Sequence, residues 1–293
     1  MTAMTAMTPG QLTEDVLAAY SGTPDPRLRE LLAALIAHLH AFVAATRLTP
    51  AEWQAAIAFL TATGHTCDDE RQEFILLSDV LGLSSLVDLV NAAPGATEST
   101  VLGPFYVPGA PRRAPGEQIG RPEDGSPALV RGQVTDTAGR PLAGATLDVW
   151  QCSGNGLYDT QDPSQPPYNL RGVFVTGPDG RFEFQTVRPA SYPIPVDGPV
   201  GDLLRAAGRD HWRAAHIHAI LSAPGHRSVT THIFDADNPY LDRDAVFGVR
   251  GSLIRPFRPA GPGDPADVSY VVDMDFTLAT AEPASTGALD RSP

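Results

Sequence analysis

The spacing of the apolar residues changes once along this chain, near Pro94, and no other feature limits its possible folds as much. Before that point, "DPRLRELLAALIAHLHAFVAATRL" sets Leu28, Leu31, Leu32, Leu35, Ile36, Leu39, Phe42 and Val43 at helical intervals, an apolar stripe on one face. Asp25 before Pro26 predicts an N-cap and a first-turn proline. Thr49, Pro50 and Glu52 in "TPAEW" predict a second start closed by a capping box. Further helices are expected through "DERQEFILLSDVLG" and "SSLVDLVNAA". Beyond Pro94 the runs are short and alternating: "ALVRGQVTD", "ATLDVWQ", "GVFVTGPDGRFEFQTV", "AAHIHAILSAPG", "SVTTHIFDAD" and "SYVVDMDFTLA". Turn signals such as "GPDG" separate them, the pattern of an antiparallel sandwich. The expected fold is mainly β: an N-terminal α-helical region over 1–92, an antiparallel β-sandwich domain over 93–281, and a disordered tail over 282–293.

The helical stripe needs a partner, either the sandwich or the same region of a second copy. At 42% hydrophobic and 19% charged, the 293 residues have the balance of a water-soluble protein. A net charge of −13 repels phosphate and argues against nucleic acid as a partner. All 21 basic residues are arginine. Cys67 and Cys152 lie far apart and form no disulfide framework, which fits a reducing compartment. "MTAMTAMTPG" lacks the charged start and apolar core of a secretion signal, and no apolar run is expected to approach bilayer-spanning length. These readings predict a cytoplasmic protein with no membrane partner.

"RAAHIHAI" places His216 and His218 one residue apart in a strand-like run, so both side chains share a face and can reach one point. "AHLHAF" is an internal control: His38 and His40 have the same spacing in a helical run, where residues two apart diverge. No carboxylate or second thiolate completes a site near His216 and His218. Two tyrosines in unusual settings do offer oxygen donors: Tyr158 in the glycine-rich "GNGLYDT" and Tyr192 in the proline-rich "RPASYPIPVDGP", a loop expected to hold no regular structure. A phenol ionises near pH 10, so it coordinates at neutral pH only to a strongly charged, hard ion. Two phenolates with two imidazoles suit iron(III).

These residues resemble the intradiol ring-cleaving dioxygenases. "VRGQVTDTAGRPLAGATLDVWQCSGNGLY" matches that family's signature and ends on the first ligand tyrosine. "VRPASYPIPVDGPVGDLL" is similar to its second ligand loop, and "HWRAAHIHAILSAPGHRSVTTHIFDADNPY" to its histidine region. The resemblance implies one ferric ion per subunit, with Tyr192 and His218 axial and Tyr158 and His216 equatorial beside a hydroxide. An aromatic diol would give one proton to that hydroxide and one to Tyr192, and dioxygen would be inserted between the two hydroxylated carbons to yield a diacid. Arg213 resembles the active-site arginine that steadies charge developing on the ring.

Within the family, a single chain with a long helical N-terminus is similar to the catechol, chlorocatechol and hydroxyquinol branch. That likeness implies a homodimer through the helices and a phospholipid in a tunnel at their interface. "EFILLSDVLGLSSLVD" and "GATESTVLGPFYVPGAP" are most similar to the hydroxyquinol (benzene-1,2,4-triol) group, and His232 stands where catechol enzymes commonly carry glutamine. The implied substrate pocket is Leu76, Asp79, Gly103, Pro104, Phe105, Ile194, Pro195, His232 and Val246, with Asp79 accepting a bond from the third hydroxyl. Catechol or chlorocatechol is the alternative substrate. A non-catalytic carboxypeptidase-regulatory-type β-sandwich shares the turns "DTAG" and "PLAG", but leaves the two tyrosines, two histidines and helices without a role.

Overall fold

The structure is a computed structural model that describes residues 7–68 and 71–281; the expected tail over 282–293 lies outside the described residues. Two compact units divide the chain, 1–62 and 63–293.

The first unit holds α1 (Pro9–Tyr20), α2 (Pro26–Thr46) and most of α3 (Pro50–His65). Asp25 caps α2 by accepting from the Arg27 and Leu28 amides. Before α3, the Thr49 amide donates to Glu52 and the Glu52 amide to the Thr49 hydroxyl, which completes the expected box. No residue of α2 is buried. This helix also corrects one expectation: within its 21 residues an 18-residue window reaches a mean hydropathy of 1.5, so length and composition alone would let it cross a bilayer. Alanines at 33, 34, 37, 41, 44 and 45 fill the face opposite the stripe and raise the average. The His40 ring nitrogen Nδ1 lies 2.9 Å from the Thr13 hydroxyl, tying α2 to α1 and away from any shared ion with His38.

The second unit continues with α4 (Glu73–Val80), α5 (Leu83–Val90), β1 (Pro127–Asp136), β2 (Thr146–Trp150), β3 (Arg171–Val175), β4 (Arg181–Val187), β5 (Tyr192–Pro193), α6 (Pro199–Ala206), β6 (Trp212–Arg213), β7 (His216–Ser222), β8 (Val229–Asp235), β9 (Ile254–Arg255), β10 (Arg258–Pro259), β11 (Tyr270–Asp273) and β12 (Phe276–Leu278). One sheet runs β10-β11-β1-β12 with β4 on β1, and the other β3-β2-β7-β8-β9. Most pairs are antiparallel, but β1 pairs in parallel with β11 and β12, and β8 in parallel with β9, so both sheets are mixed. At Gly132, β1 passes from one partner to the other, and a Cβ there would stand 1.9 Å from the Met274 carbonyl oxygen. Only glycine permits that approach.

The core lies between the sheets. Ala128, Val130, Val134, Phe182, Phe184, Val272 and Phe276 face Leu147, Val149, Phe174, Ile217, Ala219, Leu221 and Ile233. Burying each large side chain contributes roughly 1.5–3 kcal/mol.

Candidate metal centre

On β7 the alternation separates two tasks. Ile217, Ala219 and Leu221 enter the core between the sheets, so His216 and His218 project from the opposite face of the same sheet. Register then builds a row across three strands, with Trp150 on β2 opposite His218 and His218 opposite His232 on β8. Trp150 stacks on the His218 ring at 4.5 Å and 10°. The outer face is covered by Phe105, Tyr106, Tyr158 and Tyr192, so all three histidines are buried.

The two tyrosines arrive from separate loops. Tyr158 follows Gly156, whose φ of +81° is in the left-handed region and whose absent Cβ would stand 3.3 Å from the Tyr192 Cβ. That glycine both turns the chain and admits the second tyrosine. The Tyr192 loop, expected to lack regular structure, contains one short pairing: β5 joins β6 with Tyr192 opposite Arg213. Proline at 193 and 195 limits it to two residues, and this fragment fixes Tyr192 beside the arginine. The two phenol oxygens lie 3.3 Å apart. The Tyr192 ring is 5.5 Å from His216, and the Tyr158 ring 6.4 Å from His218.

Imidazole hydrogen bonds define what this cluster can hold. The His216 Nδ1 is 2.6 Å from the Ala214 carbonyl, an acceptor, so its proton sits on Nδ1 and Nε2 carries a bare lone pair. The His218 Nε2 lies 3.0 Å from that same atom. Burial lowers the proton affinity of His216, His218 and His232 well below the ordinary imidazole range, with Arg213 adding to it, and keeps the rings neutral. Burial likewise raises both phenols, Tyr158 well above its ordinary value. Two facing ring nitrogens and two phenols in one buried site fit a multivalent cation, which would ionise the phenols and accept the nitrogens' lone pairs. The donor nitrogens of His216, His218 and His232 lie within 4.8 Å of one another.

Arg213 is buried and pairs with Asp244 at 3.3 Å, and its guanidinium also interacts with the Tyr192 phenol. Burial opposes its charge, but Asp244 and the two phenols more than offset that and raise its pKa. Asp244 also accepts from the Ala214 and Gly248 amides, and a Cβ at 248 would stand 2.8 Å from the arginine.

Phe105 stacks on Tyr158 at 4.6 Å, and a Cβ at Gly103 would touch His218 at 3.4 Å; Pro104 is half-buried between them. On α4, Leu76 and Asp79 are buried one turn apart. Burial raises the Asp79 carboxyl above its ordinary range, against the pull of Ser84 and the positive field of Arg213. Ile194 and Val246 are buried and Pro195 half-buried, each in a loop of this unit. His232 makes its 2.7 Å contact with His218 Nδ1. Trp150, Asp244 and Cys152 went unmarked as site residues. Cys152, whose thiol burial pushes up to about 12, packs with both tyrosines. Trp150 carried a usable signal, since strand alternation in "DVWQ" sets it on the face opposite Val149.

Residues 101–278 match the family model described as "Dioxygenase", and residues 25–98 that described as "Catechol dioxygenase N terminus". The chain belongs to the intradiol ring-cleaving dioxygenases. It is 48% identical over 272 residues to a 6-chlorohydroxyquinol 1,2-dioxygenase of Cupriavidus pinatubonensis, covering 91% of this chain and 96% of the relative. A hydroxyquinol 1,2-dioxygenase of a Rhizobium species is 48% identical over 276 residues, with 91% and 94% covered. The crystal structure of a hydroxyquinol 1,2-dioxygenase from Pseudomonas putida superimposes with a TM-score of 0.87 at 45% identity, covering 93% of this chain and 99% of that one. As a ring-cleaving dioxygenase with matched helical and β regions, the chain is an enzyme, and the non-catalytic binding-module reading falls.

Proposed function

We propose that this dioxygenase cleaves hydroxyquinol between its two adjacent hydroxylated carbons, taking up one O2 to give 3-hydroxy-cis,cis-muconate, the tautomer of maleylacetate, with a ferric ion held by Tyr158, Tyr192, His216 and His218. The observation that carries the chemistry is the gathering of two phenols and two imidazole nitrogens in one buried site. Similarity to hydroxyquinol 1,2-dioxygenases over nine-tenths of the chain supports the substrate.

When bound, ferric iron supplies Lewis acidity toward a diolate and accepts electron density from its ring. The chain's own residues do the rest. Of the diol's two protons, one would go to the Tyr192 oxygen, which the cation would hold as a phenolate, and the other to a hydroxide. Arg213, fixed by Asp244 and next to Tyr192, would steady negative charge as it develops on the ring. Phe105 and Trp150 exclude water and hold the Tyr158 and His218 ring planes. Asp79 accepts the third hydroxyl of hydroxyquinol, a partner that catechol lacks. Leu76, Gly103, Pro104, Ile194, Pro195 and Val246 form the walls.

The helical region over 1–92 serves as the dimerisation region, and 93–281 as the catalytic domain. Support comes from the exposed stripe of α2, where Leu31, Leu35, Leu39 and Phe42 are each half or more exposed. A homodimer would cover that stripe and a phospholipid acyl chain would suit it. The cytoplasm suits the two unpaired cysteines.

Oxygen uptake with hydroxyquinol, catechol and 4-chlorocatechol side by side tests the reading. Hydroxyquinol should give the highest kcat/KM, and a preference for catechol would overturn the substrate. The iron-loaded protein should be wine-red from tyrosinate charge transfer, and Tyr158→Phe should weaken that band and abolish turnover.

A further inference from the structure

His232 is bonded to a ring of the metal centre, and its place there assigns it a role beyond lining a pocket. Its Nε2 lies 2.7 Å from the His218 Nδ1, the atom on the far side of that ring from Nε2. The histidines form a chain: the Ala214 carbonyl to His216, His216 to His218, His218 to His232. It ends blind, because the His232 Nδ1 is buried without a partner among the described residues. Strand register holds the pair together, with His218 directly opposite His232 and both rings sealed from solvent.

Proton positions along this chain are not independent. The Ala214 carbonyl fixes the His216 proton on Nδ1, which leaves Nε2 bare. For His218 to present a second bare Nε2 at the same point, its own proton must sit on Nδ1, and that N–H needs an acceptor. The His232 Nε2 is the acceptor in reach, so the His232 proton moves to the blind Nδ1. In the opposite arrangement, His218 donates from Nε2 to His216 and accepts from His232, and its metal-facing lone pair is consumed. Each arrangement contains one proton per ring, so neither requires gain or loss of charge.

We propose that His232 is a positioning residue: by accepting the His218 Nδ1 proton it fixes the tautomer that offers Nε2 to the metal, and it anchors the ring plane against Trp150. The proposal rests on the ferric reading above. Outer partners of ligand imidazoles typically change metal affinity by about 10–100-fold when removed.

The test compares the parent with His232→Leu, which cannot accept, and His232→Gln, whose amide oxygen can. Each apoprotein is titrated with ferric iron under a competing chelator while the tyrosinate band is followed. His232→Leu should bind about 10–100-fold more weakly with a shifted band, and His232→Gln should recover most of the affinity. Equal affinity and an unchanged band in His232→Leu would overturn the proposal. So would an equal loss in His232→Gln, which would make the ring's shape, not its acceptor, the requirement. If His232→Leu does not fold, the parent alone decides: loaded with diamagnetic gallium(III), its ¹⁵N-histidine spectrum should show the His232 proton on Nδ1 with its Nε2 accepting from His218, and a His232 proton on Nε2 overturns the proposal. A parent that binds neither ion and develops no band would sink the ferric reading itself, a result separable from all of these.

Discussion

Tyr158 and Tyr192 stand 34 residues apart in sequence and touch through their hydroxyls because Gly156 lacks a side chain. Gly156→Ala would force an L-residue to φ +81° and press a methyl onto Tyr192 at 3.3 Å. The backbone alone costs about 1–2 kcal/mol. The expected outcome is a lower melting temperature together with a weakened tyrosinate band; loss of stability with an unaltered band would mean that the contact does not set the tyrosines' spacing. Asp79 makes the sharper functional prediction. With its carboxyl buried near Arg213, Asp79→Ala should lower kcat/KM for hydroxyquinol by roughly tenfold or more, the effect of one unmet buried hydrogen bond, and change that for catechol little. An equal effect on both substrates would remove Asp79 from specificity.

At the level of elements, loops bring the site together, and buried carboxylates hold the loops. Glu73, at the start of α4, accepts the Val200 amide in the first turn of α6 and pairs with Arg71, which also reaches Asp197. A Cβ at Gly198 would collide with both side chains, at 2.6 and 2.7 Å. The clamp joins the helix bearing Leu76 and Asp79 to the end of the loop bearing Tyr192 and Ile194. Glu73→Gln should cost about 1–3 kcal/mol and speed amide exchange across 194–200; unchanged exchange there would show that the clamp does not restrain the loop. Asp124 does the same for the Tyr158 loop, binding Ser153 at one end and Asn169 at the other while pairing with Arg121. Burial disfavours its charge, but bonds from Arg121 and Asn169 prevail and lower its pKa. A carboxylate with a depressed folded pKa adds stability above the unfolded value near 3.9, and that stability fades as pH falls through the folded value. Urea unfolding between about pH 2 and 6 should therefore show a steeper acid loss in the parent than in Asp124→Asn.

For the molecule as a whole, the sheet containing β7 serves two faces, one packed as core and one carrying the histidines. Leu147→Ala opens a cavity on the core face and should cost about 2–5 kcal/mol, while the tyrosinate band at low temperature stays as in the parent. A shifted band would mean that the faces are mechanically coupled. Sedimentation equilibrium checks the proposed dimer, with replacement of Leu35 and Leu39 by glutamate expected to yield monomers.

Local rules made much of this legible. Helical spacing and caps located α2 and α3, alternation located the main strands, and the His216–His218 spacing set both rings on one face because a strand's period of two is a property of the backbone. The family's motif named both tyrosines. Tertiary structure decided what depends on contacts distant in sequence: the parallel edge pairings, the two-residue pairing that sets Tyr192 against Arg213, the ion pair with Asp244, and the register that turns His232 onto His218. A residue's own periodicity fixes which way it faces. Which group it meets there depends on how loops and strands far apart in the chain pack together, and no local pattern encodes that.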